Sequence, residues 1–285
     1  MANVKILVCC HKKDVCATRD PYIPIHVGKK NTTVSLGIQE DDTGDNISEK
    51  NANYAELTGI YWAWKNIKEA DVIGLCHYRR YFDFHNQCKQ GFPYTLFGID
   101  DFKDIDLSIP DKYINHVMKG KVIVAAPMHS YQPIYMEYCR NHRSEDYRLL
   151  TKIVYETQPS YIIDAYHEVM LSNKLSPFNM FIMSRIDFDN YCNWLFELFN
   201  KVEENINLSH YNPDQSRVFG YMGERLLNVW IKAQSKSIIE KPVIIISNSP
   251  KPRKHRFLYQ IRNLLWDGIN VIDRFSLRIA SLPEY

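Results

Sequence analysis

The chain has 285 residues, enough for one large domain or two small ones, and at 45% hydrophobic it can build a sizeable core. A formal net charge of +2 argues against a wholesale nucleic-acid binder. Seven scattered cysteines, with no CxxC pair, speak for reduced thiols over a disulfide framework or zinc site, and no apolar run reaches the roughly 18 residues that span a bilayer.

Val4–Cys10 reads as a buried strand that opens the chain without a signal peptide and ends at His11-Lys12-Lys13. A short strand is expected within Tyr22–Gly28. Residues 40–53 are polar and turn-rich, and Tyr54–Ile67 has helical periodicity with Leu57, Ile60, Tyr61 and Trp64 on one face. The next apolar run, residues 71–76, breaks off at His77-Tyr78-Arg79-Arg80. In open α/β sheets ligands bind beyond the carboxyl ends of strands, and guanidinium groups match phosphate oxygens, so this end points to an anionic ligand. The plainer alternative is a salt-bridged surface loop.

A helix is expected after Asp111, a strand over 121–127, helices over 131–157 and 160–172, and a strand over 176–184. A long helix follows over Asp187–Glu204, capped by Asp187 or Asp189. Another covers 220–233, and a last strand covers 243–246. This order of strands and helices predicts an α/β fold with a mixed central sheet in residues 1–250. Residues 251–285 form an appendage. Lys251–Arg278 carries seven Lys/Arg against two Asp. Phe257–Ile279 reads as a basic amphipathic helix, suited either to an anionic membrane surface or to packing on the body.

Several strings together resemble one family. They are Asp42-Thr43-Gly44-Asp45-Asn46-Ile47-Ser48, Lys50-Asn51, Tyr54-x-Glu56-Leu57-Thr58-Gly59, Ile73–Phe82 with His77-Tyr78-Arg79-Arg80, and Phe178–Met183. The set resembles the bacterial capsular-polysaccharide and O-antigen glycosyltransferases, long catalogued as a domain of unknown function and including galactofuranosyltransferases. The resemblance spans residues 4 to about 246. It implies a GT-A-like fold, a UDP-sugar donor carrying galactofuranose or galactose, and a lipid-linked oligosaccharide acceptor. It further implies an inverting hexosyltransferase, cytoplasmic and peripheral on the inner face of the plasma membrane.

GT-A enzymes usually hold Mn2+ or Mg2+ with an Asp-x-Asp after the strand where this chain has His77-Tyr78-Arg79-Arg80. Asp104-Ile-Asp106 and Asp187-Phe-Asp189 match only as strings. The expectation is therefore that no cofactor is required, with Mn2+ or Mg2+ as the alternative and His77 as a ligand for it. Cations at His77, Arg79, Arg80 and Lys12 would meet the charge of the leaving diphosphate. Donor contacts would come from His11, Lys12, Asp42, Asp45, Asn46, Lys50, Asn51, Tyr54, Tyr78 and Asn179, although helix capping explains part of the 41–51 composition. Glu56 is either a polar anchor of the site or helix surface. The general base is assigned to Glu224, at the opening of a helix whose Gly220 and Gly223 would let backbone approach a ligand, with Asp164 and Asp214 as alternatives. A nucleotidyl- or phosphotransferase, or a non-catalytic sugar- or nucleotide-binding module, is the competing reading.

Overall fold

The computed structural model describes residues 2–249 and 261–268. Twelve strands and eight α-helices follow in chain order. They are β1 (Val4–Cys10), β2 (Tyr22–His26), β3 (Gln39–Glu40), α1 (Asn51–Tyr54), α2 (Leu57–Asn66), β4 (Val72–His77), β5 (Arg80–Phe82), β6 (Tyr94–Gly98), α3 (Asp111–Met118), β7 (Val122–Ala125), β8 (Met128–His129), α4 (Ile134–Asn141), α5 (Ser144–Thr157), α6 (Ser160–Met170), β9 (Lys174–Leu175), β10 (Phe181–Ser184), α7 (Arg185–Glu203), α8 (Val218–Ala233), β11 (Ile238–Lys241) and β12 (Val243–Ser247). A further helix covers residues 261–268.

The main sheet runs β11-β7-β10-β4-β1-β2-β3. All neighbours pair in parallel except β10, which is antiparallel to both β4 and β7. This is the mixed α/β fold that the sequence predicts. Alternation along the central strands covers both faces. Leu7, Cys9, Ile73, Leu75, Phe181 and Met183 point into a core with α2 and α4–α8. Ile6, Val8, Val72, Cys76 and Ile182 point into a second core with α3, β5 and β12. Gly74 lets three strands close up, because a Cβ there would lie 2.6 Å from Ile6 and 2.9 Å from Ile182. At the end of β4 the chain reverses through Tyr78-Arg79 into β5, which pairs with β12, and β12 with β6.

Three expectations change. The helix over Tyr54–Ile67 is broken at Ala55, whose φ of 51° and ψ of −130° separate α1 from α2. The strand over 176–184 is confined to Phe181–Ser184, because Phe178 and Asn179 are left-handed at φ 75° and 54°. The cap of α7 is Ser184, whose hydroxyl accepts from the Asp187 N–H; Asp187 pairs with Lys236 and Asp189 with Arg185. Of the expected helix Phe257–Ile279, residues 261–268 are helical; the remainder lies outside the described residues.

Candidate active site

A cleft of about 900 Å3 opens at the carboxyl ends of β1 and β4. Beyond the Phe181–Leu75 pair, the His77 ring meets the Phe178 carbonyl, which brings the turn before β10 beside the end of β4. His11, His77 and Asn179 therefore share one edge of the sheet. The first two turns of α8 form the facing wall with Gly220, Tyr221, Glu224 and Arg225, while α1 supplies Asn51 and the α1–α2 break Ala55 and Glu56. Gly220 and Gly223 serve this helix packing. A Cβ on them would come within 3.2 Å of Ala55 and 3.0 Å of Leu57.

The cationic string divides into residues with different surroundings. The Arg79 guanidinium is paired with Asp14 at 2.8 Å, and the side chain of Asp14 is only 9% exposed. The Arg80 guanidinium has no hydrogen bond or ion pair among the described residues; it lies 4.7 Å from the Phe178 ring centroid. Glu56 and Glu224 are near enough for their charges to act on it. His77 Nε2 lies 2.7 Å from the Phe178 carbonyl. A carbonyl only accepts, so Nε2 carries the proton. Burial, reinforced by Arg80, lowers the His77 pKa against the opposing charge of Glu56, and the ring is neutral. Tyr78 meets His11 edge-on at 5.2 Å, and Lys12 stands 5.9 Å from the Tyr78 ring, beside the cleft but not on its wall.

The expected site residues separate accordingly. His11, Asn51, His77, Tyr78, Arg79, Arg80, Asn179 and Glu224 border the cleft. Asp42, Asp45, Asn46, Lys50 and Tyr54 do not. Asp45 accepts from the Tyr61 hydroxyl, and Asn46 bonds Gly44 and Ser48 within its loop. Lys50 pairs with Glu203 at 2.7 Å, while Tyr54 is buried and stacks on Phe219. The loop is organised by Asp41, fully buried, which accepts from the Gly28 and Lys29 N–H groups and from Ser48 and Thr58. Asp164 and Asp214 are exposed and stand off the cleft. Glu224 does not open its helix: α8 starts at Val218, which places Glu224 in the second turn.

No sequence motif points to Glu137, His142, Arg217, Tyr221 or Arg225, which also line the cleft. Arg217 was visible as the residue seven before Glu224. His142 stacks on Tyr221 at 3.9 Å, a contact between α8 and the α4–α5 connection that no local pattern announces. Neither Asp-x-Asp string borders the cleft, and the described residues hold no group of three or more His, Cys, Asp or Glu side chains able to hold a metal. The donor set does not fit a divalent ion held by an aspartate pair.

A family model described as a domain of unknown function, DUF4422, matches residues 5–235. A solved structure titled the apo form of WbbM, a bifunctional glycosyltransferase, is similar at a TM-score of 0.78 and 28% identity. The likeness covers 88% of this chain and 47% of that one, so the chain spans about half the length of that protein. No curated protein matches the sequence.

Proposed function

Because the chain belongs to the DUF4422 family, we propose that it is a glycosyltransferase that moves a sugar from a nucleotide donor to a glycan acceptor. The observation that carries this reading is the cleft at the carboxyl edge of the sheet, where the cation of Arg80, without an ion pair among the described residues, shares the lining with Glu56 and Glu224. Glycosyl transfer needs charge stabilised on the departing diphosphate, a proton removed from the acceptor, and a sugar held in register. Arg80 would meet the diphosphate, helped by Arg217, His11 and Lys12. Arg79, already paired with Asp14, would set the turn that carries Arg80. Neutral His77 would hold the Phe178–Asn179 turn through Nε2–H and offer Nδ1 as an acceptor. Tyr221, stacked on His142, offers an aromatic face for a sugar or base.

The finer reading draws on the motif resemblance. The donor would be UDP-galactofuranose or UDP-galactose, and the acceptor a lipid-linked oligosaccharide of capsule or O-antigen assembly. A seat on the inner face of the plasma membrane would suit that acceptor. Among the described residues no helix is long and apolar enough to cross a membrane. The helix over 261–268 exposes Leu264 and Leu265, and the segment before it is rich in Lys and Arg.

The test is incubation with UDP-galactofuranose, UDP-galactose and other donors and a synthetic acceptor, with and without EDTA. Transfer from one donor is expected. No transfer from any donor sinks the reading, and tight UDP binding without turnover favours a binding module. Activity that persists in EDTA supports side-chain cations at the diphosphate; its loss moves that work to a metal.

A further inference from the structure

Among the described residues three carboxylates border the cleft, and their surroundings differ. Glu137 is fully engaged: Oε2 accepts from Arg225 at 2.7 Å and Oε1 from Asn141 at 2.5 Å. Glu224 is engaged as well. Its Oε1 accepts from the Phe178 N–H at 2.5 Å and its Oε2 from Arg225 at 2.7 Å. Arg225, only 3% exposed, joins the two acids, so the set ties α4, α8 and the turn before β10 together.

Glu56 stands apart. Its Oε1 accepts from Asn179 Nδ2 at 2.7 Å, while among the described residues Oε2 has only the Arg217 guanidinium at 4.0 Å, beyond hydrogen-bond reach. Its side chain is 13% exposed: largely desolvated, yet on the cleft wall. Its charge acts on both His77 and Arg80. Two unusual pieces of backbone meet at this carboxylate. Ala55, at φ 51°, breaks the helix so that Glu56 begins a new one, and Asn179, at φ 54°, reaches across from the other side. Asn179 also donates to the Gly220 carbonyl, so its amide is fixed and Glu56 with it.

We propose that Glu56, not Glu224, is the general base of the transfer, with Asn179 as its positioning residue. The inference rests on the glycosyltransferase reading. The acceptor hydroxyl gives its proton to Glu56 Oε2 as its oxygen bonds to the anomeric carbon. The bond from that carbon to the diphosphate oxygen breaks, and its electron pair leaves with the nucleoside diphosphate toward Arg80. Glu224 is structural in this scheme and holds the Phe178 N–H.

The test compares Glu56→Gln, Glu56→Asp and Glu224→Gln in the full chain with wild type. Glu56→Gln should keep the thermal shift given by UDP and a donor KM within a few-fold, while kcat falls about 100- to 10,000-fold, the usual range for a lost base. The acidic limb of its kcat–pH profile should vanish. Glu56→Asp, one methylene short but still charged, should keep that limb with a smaller loss of kcat. Glu224→Gln should lower Tm and keep the acidic limb of the kcat–pH profile at a temperature where the protein stays folded; loss of that limb would return the base role to Glu224. The product should have the anomeric configuration opposite to the donor. Wild-type kcat in Glu56→Gln, loss of the UDP shift in both Glu56 variants, or a retained anomer overturns the proposal. A wild-type protein that transfers from no donor overturns the glycosyltransferase reading itself, a different outcome.

Discussion

At the scale of single residues, the neighbours Arg79 and Arg80 differ in what surrounds them. The sequence offers both as anion ligands, and nothing in their adjacency distinguishes them. The difference comes from Asp14, sixty-five positions away, which reaches Arg79 only once β1 and β4 lie side by side. Arg79→Gln would leave the mostly buried Asp14 carboxylate with only the Val15 N–H and the more distant Lys12 at 4.0 Å, and should cost about 1–3 kcal/mol, read as a lower Tm. Arg80→Gln should leave Tm nearly unchanged and lower kcat/KM about 10- to 100-fold, since the loss falls on charge stabilisation. A matching Tm loss in both variants would place Arg80 in the scaffold. The acids show the same limit. Glu224 looks like a helix-opening base in the sequence, whereas the hydrogen bonds that occupy it come from Phe178 and Arg225.

At the scale of elements, the buried strands β1, β4 and β7 and the helices α3–α8 are legible because each carries its own apolar period. The strands β5, β6 and β11 are not. β6 is half-buried throughout and β11 alternates with exposed residues, so both are defined by long-range partners. Gly74 sits where β1, β4 and β10 crowd together. Gly74→Ala should destabilise by about 1–3 kcal/mol, an overpacking cost visible as several degrees of Tm. An unchanged Tm would mean the strands part without penalty. The helix over 261–268 is held to the body through Asp267, which accepts from His129 and Asn173 and pairs with Lys174 at 2.9 Å. Asp267→Asn should speed amide exchange in 261–268 and leave exchange in β1 and β4 unchanged. Exchange rates that do not move would show that the apolar contacts of the helix suffice.

At the scale of the whole molecule, the cleft joins residues from the first, second and last thirds of the described chain, so no single window of sequence contains it. Motifs located the β4 end of it and Glu224 on α8, while Tyr221, Arg225 and the α4–α5 connection needed the fold. Burial makes stability depend on pH. Desolvation, then the Arg225 charge, lowers the His142 pKa from 6.5 to about 4, and burial lowers His77 as well. The unfolded chain thus takes up protons below pH about 6.5 that the folded protein refuses. This contribution to stability is whole above that pH and shrinks as pH falls toward 4. Tm should drop over that interval, and His142→Gln should flatten the drop; an equal slope in the variant would assign it to other groups.

The proposed function requires this cleft to hold a nucleoside diphosphate through Arg80. Calorimetric titration of UDP into wild type and Arg80→Gln, with ATP and free galactose alongside, tests it most directly. Saturable UDP binding is expected of wild type and at least tenfold weaker binding of Arg80→Gln, about 1.4 kcal/mol, with ATP and galactose far behind. Absence of UDP binding, or equal affinity in the two proteins, would contradict it.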